Sequence, residues 1–159
     1  MVIALFAGSF DPITNGHLDI LKRAACMFSK VIVAVSYNIE KESLLPVEVK
    51  KELITKSIKE FKNIEVTSYE GLTANFCEKE DVSVIIRGVR TSKDFEYEMQ
   101  MARVNKDLNE NIETIFIPAS TEYCHVSSSL VKEILQHGGD ISKYTPKCVT
   151  EYFENLKGL

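Results

Sequence analysis

The chain has 159 residues, 45% of them hydrophobic and 26% charged, with a formal net charge of −4. That length fits one domain, expected over residues 1–159, and is too short for two independent cores; the mixed, slightly acidic charge is a poor footprint for a long nucleic-acid partner. No apolar run approaches the ~18 residues of a membrane-crossing helix, and Met1–Phe6 carries no basic n-region, so no signal peptide or membrane contact is expected and the expected location is cytoplasmic.

Val2–Ala7 reads as an apolar strand running into the turn Gly8-Ser9-Phe10-Asp11-Pro12. Gly16–Phe28 follows as a helix, with Leu18, Leu21, Ala25 and Phe28 on one face. Lys30–Ser36 is a second strand, apolar at both alternating positions, as expected where helices cover both faces of a parallel sheet. Pro46 suits the first turn of a second helix, with Val49, Leu53 and Ile54 facing the core and Phe61 near its end. Strand Ile64–Tyr69, helix Leu72–Glu78, strand Val82–Ile86, helix Lys93–Leu108 and strand Glu113–Ile117 continue the alternation. Helix Ser127–Gln136, stopped by Gly138-Gly139, and helix Pro146–Leu156 close the chain.

This alternation predicts an α/β fold: a single-domain, doubly wound, five-stranded parallel sheet, Rossmann-like, with an extra C-terminal helix. Ligands on such sheets bind beyond the carboxyl ends of the strands, where the strand order reverses. The unusual residues of the chain fall at those ends: Gly8-Ser9, Asn38–Lys41, Arg87–Arg90 and Ser120–Ser129. Helix Lys93–Leu108 carries two apolar stripes, Phe95, Met99 and Ala102 on one and Tyr97, Met101, Val104 and Leu108 on the other. A single core needs one stripe, so the second awaits a neighbouring helix or another subunit. Cys26, Cys77, Cys124 and Cys148 form no C-x-x-C pair and are expected to be reduced, small apolar core residues. His17, His125 and His137 have no metal-ligand spacing, and no protein-held metal is expected.

Two segments can handle phosphate. Gly8–His17 leaves a buried strand and enters a helix, whose N-terminus offers free N–H groups and positive potential. His17 in the first helical turn can donate a hydrogen bond as charge builds on a phosphoryl oxygen, although a lone histidine there is also an ordinary cap. Val126-Ser127-Ser128-Ser129 is again a helix start with hydroxyls and exposed amides, and a serine N-cap is its plain alternative. Arg87 and Arg90 flank Gly88, and two guanidinium groups so placed can clamp phosphate oxygens. Glu98 has no lysine four positions on, so it is not a simple helix-surface pair.

Thr14-Asn15-Gly16-His17 resembles the (H/T)-x-G-H signature of the nucleotidylyltransferase superfamily, and Val126–Glu133 resembles its I-S-S-[ST]-x-[VIL]-[RK] signature. Ile85–Arg90 followed by Asp94–Gln100 is similar to the phosphopantetheine adenylyltransferase family, over nearly the whole chain. The resemblance implies transfer of the adenylyl group of ATP to 4′-phosphopantetheine, giving 3′-dephospho-coenzyme A and pyrophosphate in coenzyme A biosynthesis. It implies that His17 stabilises the transition state, that Lys41 binds reactant phosphates, and that Ser9, Thr73 and Arg87 bind the acceptor. Ser9, Phe10, His17, Gly88, Val89, Arg90, Glu98, Tyr123, Cys124, His125, Val126, Ser127, Ser128 and Ser129 would bind ATP. Mg²⁺ would be held mainly through ATP, and the assembly would be a homohexamer. The sequence departs from the family around Lys41, reading Ile39-Glu40-Lys41-Glu42-Ser43 where a basic, proline-containing loop is common, and His125 adds an imidazole near the expected site.

The acceptor phosphate is already an anion, so in-line attack on the α-phosphorus of ATP needs no general base, and catalysis reduces to positioning and charge stabilisation. Two rivals remain: a transferase using another phosphorylated acceptor, and a non-catalytic nucleotide sensor on the same fold. Arg87–Arg90 with Phe95–Gln100 argues against the first, and intact His17, Lys41 and Ser127–Ser129 against the second. No G-x-x-x-x-G-K-[ST] occurs, which excludes a P-loop kinase.

Overall fold

A computed structural model describes residues 2–37 and 42–158. Five parallel strands form one sheet in the order β3-β2-β1-β4-β5: β1 (Ile3–Gly8), β2 (Lys30–Tyr37), β3 (Ile64–Glu70), β4 (Val84–Val89) and β5 (Glu113–Pro118). The helices are α1 (Asn15–Met27), α2 (Val47–Ser57), α3 (Thr73–Lys79), α4 (Ser92–Leu108), α5 (Ser128–Gln136) and α6 (Lys147–Lys157). The expected single-domain, doubly wound fold with its C-terminal helix is therefore present.

Strand alternation sorts the core into two layers. Ala4, Phe6, Val31, Val33, Val35 and Ile86 pack against Ile20 and Leu21 of α1, Leu53 and Ile54 of α2, Val131 of α5 and Val149 and Phe153 of α6. Leu5, Ala7, Ile32, Ala34 and Ile85 face the opposite way, against Ala74, Phe76 and Cys77 of α3. Burial on both faces is why these strands read as unbroken apolar runs.

Four sequence expectations are corrected. The fourth strand runs to Val89 instead of stopping at Ile86, because Arg87, Gly88 and Val89 pair with Phe116, Ile117 and Pro118 of β5. Helix α2 ends at Ser57, and Phe61 packs on the core from the following turn, where its N–H bonds the Ile58 carbonyl. Neither stripe of α4 is fully buried: Met99 and Ala102 are half-buried, while Phe95, Tyr97, Met101, Val104 and Leu108 are exposed. Of the four cysteines, all free, only Cys77 is a core residue, its thiol pushed up to about 11 by burial; Cys26 and Cys124 are exposed and Cys148 is half-buried.

Candidate active site

Strands β1 and β4 pair from Ala4 opposite Val84 to Phe6 opposite Ile86 and no further. Beyond that point each stays bonded to its outer neighbour, β1 to β2 through Gly8 and β4 to β5 through Val89. The two strand ends therefore part at the place where the strand order reverses, and a cleft of about 290 Å³ opens between them. Gly88 lines it, and a Cβ there would lie 3.1 Å from Ile20 Cγ1, so the Ile20 side chain would have to give by a few tenths of an ångström to admit one.

Local chemistry fixes His17 at the start of α1. Thr14 is the N-cap; its side chain accepts from the His17 N–H, and the Thr14 N–H donates to His17 Nδ1 at 3.1 Å. An accepting Nδ1 places the proton of the neutral ring on Nε2, the edge left free of protein partners among the described residues. The ring packs edge-on against Phe10 (centroids 5.1 Å apart) and Phe6 (6.2 Å). This burial, and then the charges of Arg90 and Arg87, push its pKa down to about 4 from 6.5. His17 is thus a neutral N–H donor near pH 7.

A pH dependence follows. Between pH 6.5 and 4 the unfolded chain protonates His17 while the folded chain does not, so the neutral ring's contribution is complete above pH 6.5 and lost as pH falls toward 4. Across that window His17→Gln should lose less stability than the unsubstituted protein, by on the order of 3 kcal/mol. Urea midpoints at pH 7, 5.5 and 4.5 check this; parallel curves would contradict the neutral assignment.

The Arg87 guanidinium is held on two sides. Nε and Nη2 each donate to Glu98 at 2.6 Å, and Nη1 donates to the Ala7 carbonyl at 2.7 Å. Three of its five N–H groups are spent this way, which leaves two for a phosphate. Arg90 bonds Asp94 (3.0 Å) and the Val126 carbonyl (3.2 Å), tying the end of β4 to the approach to α5. Ser127 is the N-cap of α5 and accepts from the Leu130 N–H, while the Ser128 hydroxyl donates to the Pro12 carbonyl at 2.8 Å. The two helix starts are thereby bound to each other across the cleft.

Ser9, Phe10, His17, Arg87, Gly88, Arg90, Glu98, Tyr123, Val126, Ser127, Ser128 and Ser129 line this cleft. Val89, Thr73, Cys124 and His125 do not: Thr73 starts α3 with its hydroxyl on Tyr69, the Cys124 thiol faces the Thr121 carbonyl, and His125 stacks edge-on with Tyr144. Lys41 lies outside the described residues. Residues that sequence reading missed hold the site from behind. Asp19 accepts from the Ser120 hydroxyl and N–H and Arg23 donates to the Pro118 carbonyl, fixing the β5–α5 connection to α1. Asp11 and Lys132 meet beneath the first turn. Among the described residues no cluster of three His, Cys, Asp or Glu could hold a metal ion.

Residues 5–134 match the cytidylyltransferase-like family, so the chain is a nucleotidyltransferase. The solved structure of a candidate nicotinate-nucleotide adenylyltransferase from Vibrio parahaemolyticus shares the fold, with a TM-score of 0.75 at 20% identity over 96% of this chain and 99% of that one. Curated phosphopantetheine adenylyltransferases are much nearer in sequence. That of Clostridium tetani is 46% identical over 95% of this chain and 94% of its own length. That of Caldanaerobacter subterraneus is 48% identical over the same shares, and that of Crocosphaera subtropica 49% over 93% and 94%. The chain belongs to the phosphopantetheine adenylyltransferase family.

Proposed function

We infer that the protein transfers the adenylyl group of ATP to 4′-phosphopantetheine, forming 3′-dephospho-coenzyme A and pyrophosphate in coenzyme A biosynthesis. The observation that carries this reading is the meeting, in one cleft at the β1/β4 switch point, of a neutral His17, two arginines and the serine-rich start of α5. An oxygen of the acceptor phosphate attacks the α-phosphorus in line, the bond to the bridging oxygen breaks, and pyrophosphate leaves. His17 Nε2–H donates to a non-bridging α-phosphate oxygen as charge gathers there. Arg87, with Ser9, Thr73 and Lys41, holds the acceptor; Phe10, Gly88, Val89, Arg90, Glu98 and the stretch Tyr123–Ser129 hold ATP. Thr73, Val89, Cys124 and His125 keep these roles only through the family resemblance, since they stand off the cleft.

Among the described residues that line the cleft the one carboxylate, Glu98, is already bound by Arg87, so this lining does not fit a protein-held divalent ion. Mg²⁺ is proposed to enter on the ATP phosphates, where it would offset triphosphate charge. No helix among the described residues is long and apolar enough to cross a membrane, and a cytoplasmic location is proposed. A homo-oligomer, a hexamer by the family resemblance, is supported by the exposed stripe of Tyr97, Met101, Val104 and Leu108 on α4. Light scattering should give about six times the 18.0 kDa chain mass, and Val104→Glu should lower it; a single monomeric species at micromolar protein would contradict the assembly. For the reaction, the product made from Mg-ATP and 4′-phosphopantetheine is identified by mass. The mass of dephospho-coenzyme A is expected, and recovery of both substrates unchanged would contradict the reading.

A further inference from the structure

The Asp11 carboxylate is buried and is not part of the cleft lining, yet it gathers three hydrogen-bond donors and a further ammonium from three separate stretches of chain. Oδ2 accepts from the Leu44 N–H at 2.9 Å and from Lys132 Nζ at 3.0 Å. Oδ1 accepts from the Leu45 N–H at 3.0 Å and lies 3.3 Å from Lys50 Nζ. Lys50 is itself buried and donates to Ser43 Oγ at 2.5 Å. A lone carboxylate in this position would lose its hydration with nothing in return, and these partners offset the loss: burial pushes the Asp11 carboxyl up, but the hydrogen bonds from Leu44, Lys132 and Leu45 and the charge of Lys50 together bring it below its ordinary value.

The parts joined here are those the proposed reaction must keep in register. Asp11 follows Ser9 and Phe10, whose ring packs on His17. Phe10 has φ +43°, a left-handed conformation that is strained for a bulky residue and persists only where its surroundings fix it. Leu44 and Leu45 follow Lys41 in sequence, and Lys132 stands on α5 beyond Ser127–Ser129. We propose that Asp11 is a positioning residue, tying the stretch after Lys41 and the start of α5 to the turn that presents Ser9, Phe10 and His17. The inference rests on the functional reading above. In it Lys132, the basic residue that ends the second signature, acts through Asp11 and makes no contact with ATP.

The test is a double-mutant cycle of Asp11→Asn and Lys132→Met, read by ATP affinity in titration calorimetry, by steady-state kinetics and by thermal midpoint. Lys132 is partly exposed and its loss leaves Asp11 the Leu44 and Leu45 N–H donors and the Lys50 ion pair, so Lys132→Met should fold even where Asp11→Asn does not. Lys132→Met should weaken ATP binding and lower kcat, each by about 10-fold, with Lys132→Arg restoring most of both. Asp11→Asn should in addition raise the acceptor KM, and the double variant should be no worse than Asp11→Asn alone. Losses in ATP affinity that add in full would overturn the inference by making Lys132 a direct ATP contact. Variants with lowered thermal midpoints but unchanged affinity, kcat and KM would overturn it by making the network purely structural. An unsubstituted protein that binds ATP yet transfers nothing would refute the functional reading instead, and the coupling would still be read in ATP affinity.

Discussion

His17→Ala is expected to lower kcat by about 10²–10³-fold while moving the KM of either substrate little. In the ground state the α-phosphate oxygens spread their charge over the triphosphate, and one more N–H donor adds little to binding. As the acceptor oxygen approaches phosphorus, charge gathers on the non-bridging oxygens, and a donor already aimed at them needs no reorganisation. Thr14 does the aiming, through its N–H on Nδ1 and its hydroxyl on the His17 N–H. The low pKa adds a second expectation: kcat/KM should show no limb near pH 6.5 belonging to His17. His17→Asn, which keeps a shorter donor, should recover part of the loss. Wild-type turnover in His17→Ala would remove the residue from the mechanism.

Arg87→Ala should raise the acceptor KM by about 10–100-fold and leave the ATP KM close to its starting value. Two effects combine. The acceptor phosphate loses a charge-assisted fork, and Glu98, whose side chain is 12% exposed, loses the partner that satisfies its carboxylate. The thermal midpoint should therefore fall by a few degrees as well. Arg87→Lys keeps the charge but cannot bond Glu98 and Ala7 while also reaching a phosphate, so it should recover only part of the affinity. Arg87→Ala with an unchanged acceptor KM would contradict the assignment.

Much of this was legible in the residues alone. β-branched runs alternating with helical stripes set the number and sequence of elements, and the segments Gly8–His17 and Val126–Ser129 marked two helix starts that proved to border one cleft. What could not be read depended on partners distant in the chain. The strand order β3-β2-β1-β4-β5 carries no local signal. The run of β4 through Val89 is decided by where β5 ends, because ladder hydrogen bonds need a partner. The apolar periodicity of α4 is real, but periodicity cannot say whether anything covers it. Glu98 reads as an ATP-contacting residue from the family resemblance; that it also grips Arg87 is shown only by the packing of α4 beside β4. Asp11 passed as an ordinary turn residue, since its partners at Leu44, Leu45, Lys50 and Lys132 come together only in the folded chain.

The most direct test of the central claim is pyrophosphate release by the purified protein with Mg-ATP and, in separate reactions, 4′-phosphopantetheine, nicotinate mononucleotide or glycerol 3-phosphate. Release with 4′-phosphopantetheine alone, abolished in His17→Ala, is the predicted result. Release with another acceptor in its place, or none with any of the three despite ATP binding, would contradict it.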